Sequence, residues 1–348
     1  MGTGLPPTLP PTVLQSGQSR TQAAWLPGRP SSIISEMTTP QDFRELLIRE
    51  TGLPVLEKAG LDRFSSFKIG GRADLLVEPR TEADLKRSVA LAVLEKFPFY
   101  VVGGGYNILF DDEGYRGLII RNRAEGVSEA DGRLSAFSGT GLQPLLKEAV
   151  SRGLAGLEFL AGIPGTLGGA LFSNAGAFGR SLGDFVEEAF LLGPGGGERR
   201  LAREDFGFGY RRSWLQRDHG IVLRAVLRAE PGDPKVSEGR IRDFLEKRKA
   251  KHPPWGTACA GSFFKNPCPP GGVRVAAGRL LEEAGARGMT VGGAAVYEGH
   301  CNFIINAGNA TARDVLVLAR ELKERVFETS GVRLEEEVVY LPATASML

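Results

Sequence analysis

Between Ala161 and Gly179 the chain reads AGIPGTLGGALFSNAGAFG, with glycine at Gly162, Gly165, Gly168, Gly169, Gly176 and Gly179 and no charged side chain. Glycine this dense weakens helices and strands, so it is kept where φ must be positive or where another surface must approach the backbone closely. A planar ligand carrying a diphosphate is such a surface, because bare N–H groups meet its oxygens and small side chains leave room for its rings. A tightly packed turn region is the other reading of the same residues. A second run, Gly103-Gly104-Gly105-Tyr106-Asn107-Ile108, follows the apolar strand pattern of Phe99–Val102. Two glycine loops in one chain point to a dinucleotide gripped from two sides. Neither loop has the GxGxxG spacing of a simple Rossmann site.

A length of 348 residues allows two or three domains with a full core. Lys and Arg number 43 against 41 Asp and Glu, so no general polyanion-binding surface is implied and nucleic acid is not an expected partner. No uncharged run reaches the length of a membrane-spanning helix. Cys259, Cys268 and Cys301 are odd in number and lack metal-ligand spacing, which suggests a reducing cytoplasm. His219, His252 and His300 are too scattered to suggest zinc, and no metal site is expected.

Residues 1–38 are rich in Pro, Ser, Thr and Gln without amphipathic period, and they lack the basic start and apolar core of a signal peptide. They read as a disordered extension, with Met37 as a second candidate start. Thr39 then caps a helix that has Pro40 in its first turn and Phe43, Leu46 and Leu47 on one face. Strands are expected at Ala73–Glu78, Phe99–Val102, Gly117–Arg121, Arg133–Ser138, Val186–Leu192, Ile221–Ala229 and Phe303–Asn306, with a closing strand at Leu334–Leu341. Helices are expected from Thr81 to about Lys96, at Leu142–Arg152, briefly after Pro164, and at Glu238–Lys251, Gly278–Glu283 and beyond the cap Thr311. The segment from Glu230 to Pro234 reads as the linker, which gives a cofactor region at 39–231 (subdomains 39–110 and 111–231) and a C-terminal domain at 232–348.

Three further motifs stand outside the glycine loops: Gly209-Tyr210-Arg211-Arg212-Ser213, Ala260-Gly261-Ser262-Phe263-Phe264-Lys265-Asn266-Pro267, and Leu334-Glu335-Glu336-Glu337-Val338. Singly, they read as a surface charge, a turn and a solvated charge run. Together with Ser66-Phe67-Lys68-Ile69-Gly70-Gly71 and both loops, in this order, they resemble the UDP-N-acetylenolpyruvoylglucosamine reductases over about Phe64 to Leu341. The resemblance implies an α+β chain: a two-subdomain FAD-binding fold of the vanillyl-alcohol oxidase type, followed by an α+β substrate domain. It implies noncovalent FAD, NADPH as co-substrate, and reduction of UDP-N-acetylglucosamine enolpyruvate to UDP-N-acetylmuramate by a cytoplasmic monomer.

Carried over by motif, Arg211, Ser262 and Glu337 match the family's catalytic positions, and Tyr210, Lys251 and Asn266 match positions near the substrate. The FAD positions are Gly103, Gly104, Gly105, Tyr106, Asn107, Ile108, Ala161, Gly162, Ile163, Pro164, Gly165, Gly168, Gly169, Asn174, Ala175 and Gly176. The interval from Arg211 to Ser262 lacks the insertion that brings an extra tyrosine in one subclass, so the chain resembles the shorter one. The family's Ser-Glu-Lys-His-Ala-Asn pattern appears as Tyr297-Glu298-Gly299-His300-Cys301-Asn302.

The implied chemistry asks for these residue types. Hydride addition to the enolpyruvyl double bond builds charge on the neighbouring carboxylate, and a fixed two-pronged donor such as Arg211 stabilises it. Glu337 orients a neighbour or, when protonated, donates to the same oxygens. Ser262 gives the proton to the α-carbon; the hydroxyl is a weak acid, but the carbon is strongly basic. Two other readings compete. A flavin oxidase of alcohols commonly tethers FAD through His or Cys in its first domain, and none occurs here before His219. A noncatalytic nucleotide-binding module has no need of a proton donor.

Overall fold

The computed structural model describes residues 38–344 except 194–196, 219 and 270–271, so the N-terminal extension 1–37 lies outside the described residues. The first body opens with helix α1 (Pro40–Thr51). Thr39 accepts the Asp42 amide at its start, and Phe43, Leu46 and Leu47 face inward. Strands β1 (Val55–Gly60) and β2 (Arg72–Val77) follow, then helix α2 (Glu82–Leu94) capped by Thr81. Next come β3 (Phe99–Val102), β4 (Ile108–Phe110) and β5 (Tyr115–Arg121). The sheet runs β1-β2-β5-β3, with β5 parallel to both β2 and β3. The first glycine loop therefore leaves the C-terminal end of a parallel edge strand, a position where open α/β sheets bind ligands.

The second body contains β6 (Val127–Ala130), β7 (Arg133–Phe137), α3 (Leu142–Ser151), β8 (Leu154–Ala155) and α4 (Leu167–Ser173). It continues with β9 (Gly176–Ala177), β10 (Arg180–Ser181), β11 (Val186–Leu192), β12 (Glu198–Ala202), α5 (Leu215–Asp218) and β13 (Ile221–Arg228). Its sheet, β12-β11-β13-β7-β6, is antiparallel throughout. The alternation of β7 and β13 turns Leu134, Ala136, Ala225 and Leu227 into one core with α3 and α4.

The stretch read as a linker is instead tied down. Strand β14 (Glu230–Pro231) pairs antiparallel with β8, and Asp233 caps helix α6 (Pro234–Lys249), which begins earlier than expected. Pro and Asp, which signal a turn, serve here as helix cap and first turn. Helix α6 lays Ile241 and Phe244 on the core of the second body.

The third body holds α7 (Ala277–Glu283), β15 (Thr290–Val291), β16 (Ala294–Val296), β17 (Ile304–Asn306) and α8 (Ala312–Ser330). Thr311 and Asp314 form a reciprocal cap on α8, and Val315, Leu318, Leu322 and Val326 are buried along one stripe. Each such side chain is worth about 1.5–3 kcal/mol of burial. The closing strand is shorter than its alternation suggests: only β18 (Val339–Leu341) is regular, and it pairs parallel with β4 of the first body. Before it, residues 335–337 run against Phe263–Lys265 in a short antiparallel contact, with the Glu337 amide on the Phe263 carbonyl and the Lys265 amide on the Glu335 carbonyl, each at 2.8 Å.

Candidate active site

The two glycine loops are packed on each other. A Cβ at Gly103 would stand 2.3 Å from Thr166 Oγ1, and one at Gly104 would stand 3.6 Å from Gly165 Cα. Gly105, at φ +74, would meet the Phe64 carbonyl at 1.9 Å. At Gly105 the neighbour is backbone, whereas at Gly103 and Gly104 the nearest atoms are the Thr166 and Tyr106 side chains. Gly165 is different: φ is +126 and nothing lies within 4 Å of its Cβ position. Among the described residues, the amides of Gly103, Gly104, Gly105, Tyr106 and Asn107 donate to no protein acceptor. A row of unbonded amides beside an open glycine fits the diphosphate of FAD, which needs donors and close backbone approach.

Other predicted cofactor positions are used differently. Gly168 lies against Ser138 and Gly176 against the Arg180 carbonyl, while Ala161 and Ile108 are buried. Ile163 and Ala175 pack on the second core, Pro164 and Gly169 are exposed, and Gly162 faces Leu245 and Arg248 of α6. The side chains of Asn107 and Asn174 are engaged within the protein. Asn107 Nδ2 donates to the Glu337 carbonyl at 3.0 Å. Asn174 Nδ2 donates to the Gly209 carbonyl, and its Oδ1 accepts the Gly183 amide, both at 2.8 Å.

These two asparagines bring the catalytic candidates to the loops. Arg211 sits in a four-residue turn closed by reciprocal bonds between Gly209 and Arg212, at φ +53. Its Nε lies 2.6 Å from Glu337 Oε1 but off the N–H axis, so the contact is an ion pair without an aligned hydrogen bond. Burial pushes the Glu337 carboxyl above its ordinary value, while Arg211 and Lys265 oppose that shift. Ser262 precedes the Phe263 carbonyl that accepts the Glu337 amide, so it stands one residue from the same crossing. It is half-buried, and its hydroxyl has no protein partner among the described residues.

Tyr210 and Asn266 also meet: the Asn266 amide donates to the Tyr210 hydroxyl at 3.1 Å. Asn266 Oδ1 is taken by the Ala277 amide at the start of α7. Sequence reasoning missed Arg274, whose guanidinium lies 3.8 Å over the Tyr210 ring and bonds the Asn266 carbonyl. It also missed Arg248, whose guanidinium stands 5.4 Å over the Phe178 ring and whose charge is disfavoured by burial and by nearby Arg211.

Lys251 is exposed just beyond α6, with its amide on the Arg248 carbonyl, and is not brought against Tyr210 or Asn266. Its charge reaches His252 and His300 instead. Burial, helped by Arg248, His300 and Lys251, takes His252 down from 6.5 to about 4. The unfolded chain therefore binds this proton first. Stability from His252 is complete above pH 6.5 and is lost as pH falls toward 4. His252→Gln is expected to flatten the fall in urea midpoint across that window; an unchanged slope would show that His252 is not responsible.

Residues 73–201 match the family model described as FAD binding domain, and residues 253–341 match that described as UDP-N-acetylenolpyruvoylglucosamine reductase, C-terminal domain. The UDP-N-acetylenolpyruvoylglucosamine reductase of Geotalea uraniireducens is 45% identical over 79% of this chain and 90% of its own length. That of Clostridioides difficile is 41% identical over the same shares, 79% and 90%. The crystal structure of the Thermus caldophilus enzyme of this name is similar at a TM-score of 0.68 and 33% identity, covering 83% of this chain and 99% of that one. With the FAD-binding part and the reductase C-terminal part in order on an α+β fold, the chain belongs to the UDP-N-acetylenolpyruvoylglucosamine reductases, FAD-dependent oxidoreductases.

Proposed function

We propose that the protein uses NADPH and noncovalently held FAD to reduce UDP-N-acetylglucosamine enolpyruvate to UDP-N-acetylmuramate, a step toward peptidoglycan. The observation that carries this reading is the Arg211–Glu337 ion pair, set beside Ser262 and next to unbonded loop amides. FAD, when bound, supplies the hydride for the enolpyruvyl double bond.

The chain's residues do the rest. Arg211 holds the substrate carboxylate as charge develops on it. Glu337 fixes the Arg211 guanidinium, and its upward-shifted carboxyl can share a proton with the same oxygens. Ser262 donates its hydroxyl proton to the α-carbon. Tyr210, Asn266 and Arg274 form one polar cluster suited to the nucleotide diphosphate, and exposed Lys251 is a further cation for the substrate.

We assign residues 39–231 to FAD binding and 232–348 to the substrate domain, with α6 as the part of the latter packed on the former; the two FAD subdomains divide after Arg121 and not at the expected 110/111, because β5 is held in the first sheet between β2 and β3. The reading takes the enzyme as a cytoplasmic monomer. The test is NADPH oxidation by the purified yellow protein. The rate is expected to rise with added UDP-N-acetylglucosamine enolpyruvate, and a rate indifferent to it would refute the reading.

A further inference from the structure

Arg211 occupies a left-handed backbone conformation that costs a branched or bulky residue free energy and persists only when its surroundings hold it. The turn around it is anchored from one side. Asn174, at the end of α4, holds the Gly209 carbonyl. Ser213 Oγ donates to the Phe172 carbonyl of α4 at 2.7 Å. Gln216 Nε2 donates both to that Phe172 carbonyl, at 3.0 Å, and to the carbonyl of Arg211 itself, at 3.1 Å. Among the described residues, Gln216 is the one group that bonds the strained residue's own backbone.

We propose that Gln216 is a positioning residue for Arg211. Its amide ties the left-handed turn to α4, the helix of the second glycine loop, and thereby fixes the direction in which the guanidinium leaves the backbone. Without that donor the Arg211 peptide is free to relax toward commoner φ values, and the guanidinium swings off the carboxylate it must meet. The inference rests on Arg211 being the carboxylate ligand, as proposed above.

A double-mutant cycle separates this role from simple support of the fold. Gln216→Met keeps the side chain's length and removes the donor. In the parent protein it is expected to slow reoxidation of reduced flavin by the enolpyruvyl substrate by about ten- to hundredfold, the scale of a misplacement near 1 Å. Flavin reduction by NADPH and the thermal midpoint should stay close to the parent's. Placed on Arg211→Ala, the same change should cost nothing further, because nothing remains to be positioned. Gln216→Glu, which also lacks the donor, decides the matter in the same way if the Met variant fails to fold. Equal slowing in both backgrounds, or slowing in neither, overturns the role of Gln216. If Arg211→Ala alone leaves substrate reduction intact, the Arg211 assignment itself has failed, which is a distinct result.

Discussion

Ser262→Ala is expected to leave flavin reduction by NADPH nearly intact and to slow reoxidation by the enolpyruvyl substrate by roughly a hundredfold to ten-thousandfold, the worth of a general acid. The first half-reaction places no proton on a substrate carbon; the second does. The local structure favours the large end. Phe263 and Phe264 are only 2% and 1% exposed, so the chain beyond the serine is apolar and limits rescue by water from that side. Gly261 enters at φ +78, a turn that fixes where residue 262 is presented. Ser262→Cys should recover part of the rate, because a thiol can also donate. Stopped-flow absorbance of the flavin, followed for each half-reaction, gives the answer. Equal slowing of both halves would mean that the serine shapes the pocket and donates no proton.

Arg211→Lys is expected to lower turnover by about tenfold to a thousandfold, as for removal of one fixed donor from the reacting centre. Lysine keeps the charge but loses the planar fork, so it cannot serve Glu337 and a substrate carboxylate together. Glu337 compounds the loss. Its carboxyl is already raised by burial, and a poorer cation beside it removes part of the opposing influence. The measurement is steady-state turnover with the enolpyruvyl substrate. A normal rate would free Arg211 from the role and pass it to Arg212, which is exposed on the other side of the turn.

Much of the fold was legible where local chemistry is redundant. Thr39, Thr81 and Thr311 each combine a capping hydroxyl with an acidic residue in the first turn, and all three helices start there. Phe99–Val102 and Val186–Leu192, rich in aliphatic and aromatic residues, are strands with those limits. The errors arose where one residue type carries two signals. Glu230 to Pro234 read as a linker, yet Glu230–Pro231 is a short strand and Asp233 with Pro234 begins a helix. The stretch from Leu334 read as one strand, yet three successive glutamates face different surroundings and regular pairing starts only at Val339.

At the site, Arg211, Ser262 and Glu337 were recognisable as motifs, but their assembly was not. It depends on side-chain bonds to distant carbonyls, Asn107 to Glu337 and Gln216 to Phe172, which leave no spacing pattern in a sequence. Lys251 shows the converse, a residue matched by motif that the fold leaves exposed, with its amide on the Arg248 carbonyl.

The pairing of β18 with β4 has a consequence for how the protein comes into being. Asn107 reaches across 230 positions of chain to Glu337, and the Val339 amide returns to the Asn107 carbonyl. A ribosome makes the first glycine loop long before it makes the residues that brace it. Until β18 is made, β4 stands without its strand partner, and contacts of such separation close slowly because the intervening chain must first be ordered. The first glycine loop is thus braced by residues that emerge 230 positions after it, so a nascent chain stalled short of Glu337 would carry every loop glycine and still lack the Asn107–Glu337 bond.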